Sequence, residues 1–279
     1  MILISVILPS YNREATIKRA IESVLKQTFA DIELIVVDDG STDHTKDVVQ
    51  SIADSRIRYI YQDNAGACVA RNTGIKAAKG EFIAFQDSDD SWNEYKLEKQ
   101  YNLLRKTQAD IVFCQVRRYG YNTADIIYPL LEQEIVEEKF LIETSLASTQ
   151  TLLCKAEVFE TEMFDPEMPR FQDYDLVIRL AQKYRFAFCR EPLVDLYLQG
   201  DSITLNKDKT IIAHRRLIDK HEKLWERYPG VLTWQLNALG NLEAAKKINN
   251  GKSFYRAFKV SKKCKYLLKY FLAKIGVLK

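Results

Sequence analysis

Short apolar runs alternate with segments of helical periodicity in the amino-terminal part of this 279-residue chain. The runs ISVIL, IELIVV, IRYIY and EFIAF are rich in the β-branched and aromatic residues typical of strands. Between them, EATIKRAIESVLKQ, TKDVVQSIA and ACVARNTGIKAAKG repeat their apolar residues every three or four positions, as amphipathic helices do. The alternation predicts an α/β fold whose mixed, mainly parallel sheet carries helices on both faces.

The alternation of strand-like and helix-like segments is less regular in the second part of the chain, but it continues. ADIVFCQVRRYGY, STQTLLCKAEVF and RFAFC have the composition of further strands, and QDYDLVIRLAQKY has that of a helix. No repeat, low-complexity stretch or Gly/Ser linker separates the two parts. We therefore predict one domain over residues 1–206, with halves at 1–106 and 107–206, and a helical C-terminal extension over 207–279.

Composition excludes several classes of protein. Hydrophobic residues make up 47% of the chain, which is ample for a buried core. No run approaches the roughly 18 apolar residues of a membrane span, and MILISVILP lacks the basic start and cleavage site of a signal peptide. The five cysteines are odd in number and scattered, which argues against a disulfide framework or a thiolate metal site and favours a reducing cytosol.

The net charge of +3 hides a division along the chain. Residues 244–279 contain eleven Lys or Arg and no Asp or Glu, whereas the preceding residues carry thirty basic against thirty-eight acidic side chains, a net charge of −8. The tail also repeats Phe and Leu at helical spacing. It is either a helix packed on the core or an interfacial helix that binds an anionic membrane surface, and we favour the second. The acidic body and the lack of a recognition motif argue against nucleic acid.

The stretch EFIAFQDSDDSW sets an apolar strand directly against three carboxylates, those of Asp87, Asp89 and Asp90. A single Asp at this place would be explained as a helix cap. Three within four residues repel one another unless a cation compensates, and oxygen ligands at this spacing suit Mg²⁺ or Mn²⁺. The cluster therefore predicts a divalent metal site at a strand end.

A metal of this kind implies a phosphorylated ligand, because Mg²⁺ usually binds through one or two carboxylates together with substrate phosphates. The chain contains neither Gly-x-Gly-x-x-Gly nor Gly-x-x-x-x-Gly-Lys-Ser/Thr, which argues against a dinucleotide-dependent dehydrogenase and against a P-loop NTPase. A metal-bridged nucleotide needs neither motif.

Two other strand ends, VILPSYNRE and VVDDGSTDHT, are also polar. Each is explained equally well as a turn followed by a capped helix. Taken together, however, Tyr11 offers a planar ring for stacking a base, and Asp38 or Asp39 can accept hydrogen bonds from base or ribose. Arg71, in ARNTG, can present its guanidinium to phosphate or to acidic side chains.

The ordered series VILPSYNRE, IELIVVDDGSTD and NAGACVARNTGIKAAKGEFIAFQDSDDSW resembles the family 2 glycosyltransferases, inverting enzymes of GT-A fold. The resemblance is close over about residues 4–110 and looser to about residue 205. It implies a nucleotide-sugar donor, usually a UDP-sugar, bound by residues 1–106, with the acceptor on the side of residues 107–206. It also implies that Asp87-Ser88-Asp89 is an Asp-x-Asp motif whose second aspartate is the direct ligand of Mn²⁺ or Mg²⁺, with Asp87 beside it.

The family's nucleotide-contacting positions fall on Pro9, Tyr11, Asp39 and Arg71 of this sequence. We expect the rest of the donor site to be formed by Asn12, Asn64, Asp87 and Ser88.

Inverting transfer requires a base that takes the proton of the acceptor hydroxyl. In the family an acidic pair before a helix supplies that base, and FQDYDL occupies its place here. Gln172 replaces the usual first acid, so Asp173 is the predicted catalytic base. The alternatives are that Asp173 only caps the helix, or that Asp175 acts instead.

The resemblance implies a glycosyltransferase that adds single sugars to a cell-surface glycan or a lipid-linked acceptor, because the Gln-x-x-Arg-Trp motif of processive members is absent. A His that many relatives place near YLQGDSIT as a further metal ligand is also absent. A sugar nucleotidyltransferase and a catalytically silent glycan-binding subunit are the alternatives. We expect a cytoplasmic protein bound peripherally to the inner face of the cell membrane; the sequence does not indicate its oligomeric state.

Overall fold

The computed structural model describes residues 2–119, 125–197 and 206–278. The chain forms two compact units: a first made of Met1–Pro166 and Gln172–Gly200, and a second made of Glu167–Phe171 and Asp201–Lys279.

Unit 1 is built on one sheet. Within the described residues the sheet has ten strands, in the order β3-β2-β1-β4-β9-β6-β10-β5, with β7 paired to β6 and β8 to β10. The strands are β1 Ile4–Ser10, β2 Ile32–Asp39, β3 Ile57–Gln62, β4 Phe82–Phe85, β5 Ser91–Trp92, β6 Ile111–Tyr119, β7 Ile126–Tyr128, β8 Ile135–Val136, β9 Leu153–Lys155 and β10 Phe186–Tyr197.

Helices flank this sheet on both faces. They are α1 Ile17–Leu25, α2 Thr45–Gln50, α3 Ala67–Ala77, α4 Lys96–Thr107, α5 Glu138–Thr144 and α6 Gln172–Ala181. Short 3₁₀ turns at Thr149–Thr151 and Ala156–Glu160 bracket β9. The predicted strands and helices of the amino-terminal part are all present, so the predicted mixed, mainly parallel sheet is confirmed.

The long pairings are parallel and the antiparallel ones are short. β1 pairs in parallel with β2 and β4, β2 with β3, and β6 with β10. β9 lies antiparallel between β4 and β6. The predicted strand STQTLLCKAEVF is reduced to the three residues of β9, because its flanking residues turn into the two 3₁₀ segments.

Two apolar layers cover the sheet. Ile17, Ile21 and Val24 of α1 pack with alternate residues of β1 and β2 on one face. On the other face, the layer contains residues of α3, α5 and α6 together with a second set of strand residues that includes Ile7. Gly74 lets α3 approach this layer closely, because a Cβ there would lie 2.4 Å from Cγ2 of Ile7.

Unit 2 is helical, and its helices are α7 Lys207–Lys220, α8 Glu222–Arg227, α9 Pro229–Ala245, α10 Lys252–Ser261 and α11 Cys264–Lys274. Its apolar core joins α7, α9, α10 and α11 through Ile211, Leu236, Ala257 and Tyr266.

A polar group fixes the start of α10 within unit 2. Glu243 of α9 is buried and accepts hydrogen bonds from Arg215, Asn249 and Ser253 at 2.6, 2.8 and 2.6 Å.

The basic tail forms two helices rather than one. The chain breaks between α10 and α11 at Lys262, whose φ of 58° lies in the left-handed region. Phe254 and Ala257 of α10 are fully buried, whereas Leu268 and Phe271 of α11 are 61% and 52% exposed. The packed-helix alternative thus describes α10, and α11 leaves an apolar face uncovered. No helix in the described parts of the chain has the length and apolarity that crossing a membrane requires.

A fully buried lysine lies in the core of unit 1. The ammonium of Lys96 donates to Oε1 of Gln100 at 2.7 Å and lies 3.9 Å from the centre of the Trp92 ring. Gln100 in turn donates to the carbonyls of Val112 and Thr151. Burial lowers the pKa of Lys96 from 10.5 to about 8, because a low-dielectric surrounding disfavours the charged form.

This burial predicts how stability depends on pH. The unfolded chain keeps the Lys96 proton to a higher pH than the folded protein does, so Lys96 makes the free energy of unfolding rise with pH above about 8. The free energy of unfolding of the wild type, relative to that of Lys96→Met, should increase by about 2 to 3 kcal/mol between pH 7 and pH 10.

Urea unfolding at the two pH values measures this difference. Lys18→Met, at an exposed position of α1, is the matched control and should show no such change. A pH-independent difference for Lys96→Met would contradict a buried charge.

Candidate active site

The carboxyl ends of β1, β2 and β4 meet at one edge of the sheet. Ser10 is paired with Asp38, and Ile7 with Phe85, so the segments that follow these strands emerge side by side. The segments that follow β1, β2 and β4, which contain most of the predicted donor-site residues, therefore lie next to one another at this edge.

Asn12 ties the segment after β1 to the segment after β2. Its backbone N–H donates to Oγ of Ser41 at 2.9 Å, and its side-chain Oδ1 accepts from the N–H of Thr42 at 2.8 Å. Asn12 has a φ of 51°, which Asn tolerates better than most residues. The structure therefore gives Asn12 a role in shaping the edge.

Asp38 and Asp39 are both buried and both hydrogen-bonded. Asp38 accepts from the N–H of Ser41 at 2.8 Å and from the hydroxyl of Tyr59 at 2.5 Å. Asp39 accepts from Gln62 at 2.7 Å and from the N–H groups of two residues before α3, at 2.9 and 2.8 Å. These bonds compensate two adjacent buried charges and fix the turn that leads into α3.

Gly40 allows this turn to close. Its φ is +80°, and a Cβ at this position would lie 2.8 Å from the backbone nitrogen of Asn64. Asn64 donates its amide to the carbonyl of Asp39 at 2.9 Å. The β2 and β3 ends thus form one wall of the site.

Two residues of the β1 end differ in exposure. Pro9 is buried within the strand, whereas the ring of Tyr11 is 47% exposed. Tyr11 is therefore available for stacking on a planar group, as the sequence predicts.

Arg71 of α3 links the carboxyl end of β4 to the start of α6. Its Nη2 donates to Oδ1 of Asp87 at 2.9 Å, and its Nη1 donates to Oε1 of Gln172 at 3.2 Å. The guanidinium carbon lies 5.4 Å from the centre of the Phe164 ring. Arg71 is only 8% exposed, so these contacts are shielded from water.

Asp89 has arginine neighbours of its own. Nη2 of Arg13 lies 3.9 Å from its Oδ2, and Arg19 of α1 donates to its backbone carbonyl. The guanidinium of Arg19 stacks on the ring of Tyr197 at 3.8 Å from the ring centre. The side chains of Asp87 and Asp89 are 26% and 29% exposed.

The other two residues of the segment from Asp87 to Asp90 are shielded from solvent. Ser88 and Asp90 are buried, and Asp90 accepts from the N–H of Tyr197 at 3.1 Å. Burial, and then the charges of Asp87 and Asp89, raise the pKa of Asp90 to about 8. Asp90 is therefore close to Asp87 and Asp89 but, unlike them, is shielded from solvent.

Asp173 is in the first turn of α6 and is partly buried. The helix begins at Gln172, so Asp173 is not the capping residue that the alternative requires. Desolvation raises the pKa of Asp173, and the charge of Asp87 raises it further, while the N–H of Tyr174 and the charge of Arg71 lower it. An elevated pKa strengthens a carboxylate as a base.

Asp175 has a different environment. It is fully buried and forms an ion pair with Arg179, one helical turn further on, at 3.0 Å. An ion-paired and fully buried Asp175 is better explained as a structural residue than as the alternative catalytic base.

A metal ion at this edge of the sheet would have few protein ligands. Among the residues that the structure describes, no three His, Cys, Asp or Glu side chains come together as a metal cluster. Asp87 and Asp89 are two partly exposed carboxylates on one short segment, a donor set that fits Mg²⁺ or Mn²⁺ when substrate phosphates supply the remaining ligands. Residues 198–205, where the relatives' His would fall, lie outside the described residues.

Sequence reasoning missed Arg13 and Arg19 as neighbours of Asp89, and Gln172 as a partner of Arg71. Arg13 follows Asn12 directly in VILPSYNRE, so its position next to the predicted site was a usable signal. Arg19 and Gln172 meet partners seventy and about a hundred residues away, and no local pattern marks such contacts.

The family model described as Glycosyl transferase family 2 matches residues 5–164. The chain is 49% identical over 112 residues to the Escherichia coli enzyme WfgD, a UDP-Glc:alpha-D-GlcNAc-diphosphoundecaprenol beta-1,3-glucosyltransferase; the match spans 40% of this chain but only 44% of WfgD. It is 33% identical over 223 residues to WfaP, an E. coli enzyme described by the same activity, covering 78% of this chain and 86% of WfaP.

Among solved structures, S. aureus TarS 1–349 in complex with UDP-GlcNAc has the same fold. The TM-score is 0.70 at 17% identity, over 98% of this chain and 91% of that chain. The predicted GT-A type of fold is thereby confirmed.

Proposed function

The chain belongs to glycosyl transferase family 2 and is a glycosyltransferase, and we propose that it transfers a sugar from a nucleotide-sugar donor to a lipid-linked glycan with inversion of the anomeric centre. The observation that carries the proposal is the pair of open carboxylates, Asp87 and Asp89, at the sheet edge where Tyr11 is exposed and Arg71 is held. The names of WfgD, WfaP and TarS support a UDP-sugar as the donor.

The donor's nucleoside lies against the β1 and β2 ends in this proposal. Tyr11 stacks on the base, and Asn12 and Asn64 hold the two neighbouring segments in place. Asp39, which accepts three hydrogen bonds in the structure, takes a fourth from base or ribose in this proposal. Pro9 and Ser88, both buried, support the backbone around the donor.

The diphosphate lies over Asp87 and Asp89. Asp87 and Asp89 would hold Mn²⁺ or Mg²⁺, which would supply positive charge to offset the charge of the departing diphosphate. Arg71 and Arg13 add positive charge on the same side. Their guanidinium groups suit phosphate oxygens because they present several N–H donors in one plane.

Asp173 acts as the base from the first turn of α6. It takes the proton of the acceptor hydroxyl while that oxygen attacks the anomeric carbon from the face opposite the diphosphate, and the bond from the anomeric carbon to the diphosphate breaks. Attack from the opposite face inverts the centre. The names of WfgD and WfaP support an acceptor sugar carried on a diphospholipid.

The first prediction tests the metal. Asp89→Ala should lower the affinity for UDP in the presence of Mn²⁺ by at least about tenfold, because a carboxylate ligand is lost, and chelation should do the same to the wild type. Isothermal titration calorimetry measures both. Asp47→Ala, which replaces an exposed aspartate of α2, should bind as the wild type does. Unchanged affinity in the Asp89 variant and under chelation would remove the metal role.

The second prediction tests the base. Asp173→Asn keeps the size of the side chain but removes its basicity, so kcat should fall by roughly 10² to 10⁴ while donor affinity stays near that of the wild type. Steady-state kinetics with product detection measure the loss. A variant that turns over normally would transfer the role of base to another residue.

A membrane-facing surface is the third part of the proposal. Cys264, Leu268 and Phe271 of α11, and Ile275 directly after it, follow the four-three-four spacing that places residues on one helix face, and all four are exposed. Lys265 and Lys274 lie on either side of them. Exposed apolar side chains bordered by lysines, in a tail that lacks acidic residues, match an anionic lipid surface in both charge and polarity.

Substitutions in α11 test this surface without removing a buried helix. Leu268→Glu and Phe271→Glu together should reduce co-sedimentation with vesicles containing phosphatidylglycerol by at least about tenfold, because two inserting side chains are replaced by charges. Ile212→Glu, at an exposed apolar position of α7, is the matched control. Binding by the wild type should weaken with added salt. Equal sedimentation of all three proteins would contradict the proposal.

A further inference from the structure

Gln172 accepts one of the two hydrogen bonds that the Arg71 guanidinium donates among the residues that the structure describes. Nη2 donates to Asp87 and Nη1 donates to Gln172, at 2.9 and 3.2 Å. The third nitrogen, Nε, is buried and has no hydrogen-bond partner within the described residues. The orientation of the guanidinium plane therefore depends on Asp87 and Gln172, with the Phe164 ring limiting its position on one side.

We propose that Gln172 is a positioning residue: its neutral side-chain carbonyl holds Arg71 in the orientation that serves both Asp87 and the donor diphosphate. This inference deepens the proposed function and rests on it for the identity of the ligand. Gln172 acts through Arg71 and does not itself touch the reacting atoms.

The neutrality of Gln172 matters because negative charge is already dense around it. Asp87 is the other partner of Arg71, and Asp173 follows Gln172 directly. A carboxylate at position 172, which the family's usual acidic pair places there, would add a further negative charge beside Asp87 and Asp173 and take up part of the charge of the guanidinium. An amide carbonyl supplies the same acceptor atom without these effects, so the positive charge of Arg71 stays available to Asp87, Asp173 and the diphosphate.

The contact between Gln172 and Arg71 also links the donor side of the site to the helix that carries the proposed base. Arg71 extends from α3 and Asp87 follows β4, so both belong to the part of the chain that forms the donor side. Gln172 is the first residue of α6, which carries Asp173. Because one guanidinium joins the two, the donor-side carboxylate and the proposed base are held in a fixed relation.

Replacing Gln172 with Met tests the contact, since Met has a similar length but no strong acceptor. Gln172→Met should lower the affinity for UDP with Mn²⁺ and raise the donor KM by about tenfold or more, the effect expected for a lost hydrogen bond to a charged group, with a smaller change in kcat. The melting temperature should stay near that of the wild type. Gln182→Met, just after the same helix, is the matched control, because the amide of Gln182 donates to a carbonyl of that helix.

A double-mutant cycle separates positioning through Arg71 from a general effect on α6. In an Arg71→Lys background the guanidinium is gone, so adding Gln172→Met should change UDP affinity by less than about twofold. Losses that simply multiply in the double variant, or a Gln172→Met protein that binds UDP as the wild type does, would overturn the inference.

A measurement without nucleotide keeps the inference testable if the proposed function fails. The side-chain nitrogen signals of Arg71 in NMR spectra, assigned by their absence in Arg71→Lys, report rotation of the guanidinium. Rotation should be slow in the wild type and at least about tenfold faster in Gln172→Met. Equally slow rotation in both proteins overturns the inference whether or not the wild type binds UDP, and a wild type that binds no nucleotide overturns only the proposed function.

Discussion

Negative charge concentrated at one edge of the sheet is the constraint that shapes unit 1. Asp38 and Asp39 end β2, and Asp87, Asp89 and Asp90 follow β4, all within adjoining segments. Repulsion of this kind must be offset, and the chain does so in three ways. Backbone N–H groups and neutral side chains compensate Asp38 and Asp39, arginines from α3 and the β1 end meet the carboxylates of Asp87 and Asp89, and burial raises the pKa of Asp90. The two carboxylates that remain open to solvent are those on which we propose a metal and a diphosphate bind.

The helices of unit 1 serve this edge as well as the core. α3 packs tightly on β1 through Gly74 and presents Arg71 to Asp87. α6 packs on the same face and begins with Gln172 and Asp173. The close approach of α3, which a side chain at position 74 would prevent, therefore also sets where Arg71 lies. The contact between α3 and β1 at Gly74 therefore contributes both to the apolar layer and to the geometry of the site.

The fold was predictable from the sequence to a large extent, and the site to a smaller one. Alternating apolar and helical segments identified β1 to β4 and α1 to α3, because periodicity is a local property of the chain. The strand in STQTLLCKAEVF was overestimated, since the 3₁₀ turns beside β9 have no comparable periodic signal. Tyr11, Asp87 and Asp89 could be predicted as site residues because they lie in strand-end motifs, and Arg71, inside α3, because its segment resembles that of the family. The internal bonds of Asp39 and the contact between Arg71 and Gln172 were not, because they join segments far apart in sequence and become visible only when the chain is folded.

The most direct test of the central claim is a crystal structure of the protein with Mn²⁺ and UDP, in which anomalous scattering locates the metal. An anomalous peak should lie in coordinating contact with the Asp89 carboxylate and the UDP diphosphate, and density for the base should lie against the ring of Tyr11. A peak on other residues, or UDP bound without metal at Asp89, would contradict the account.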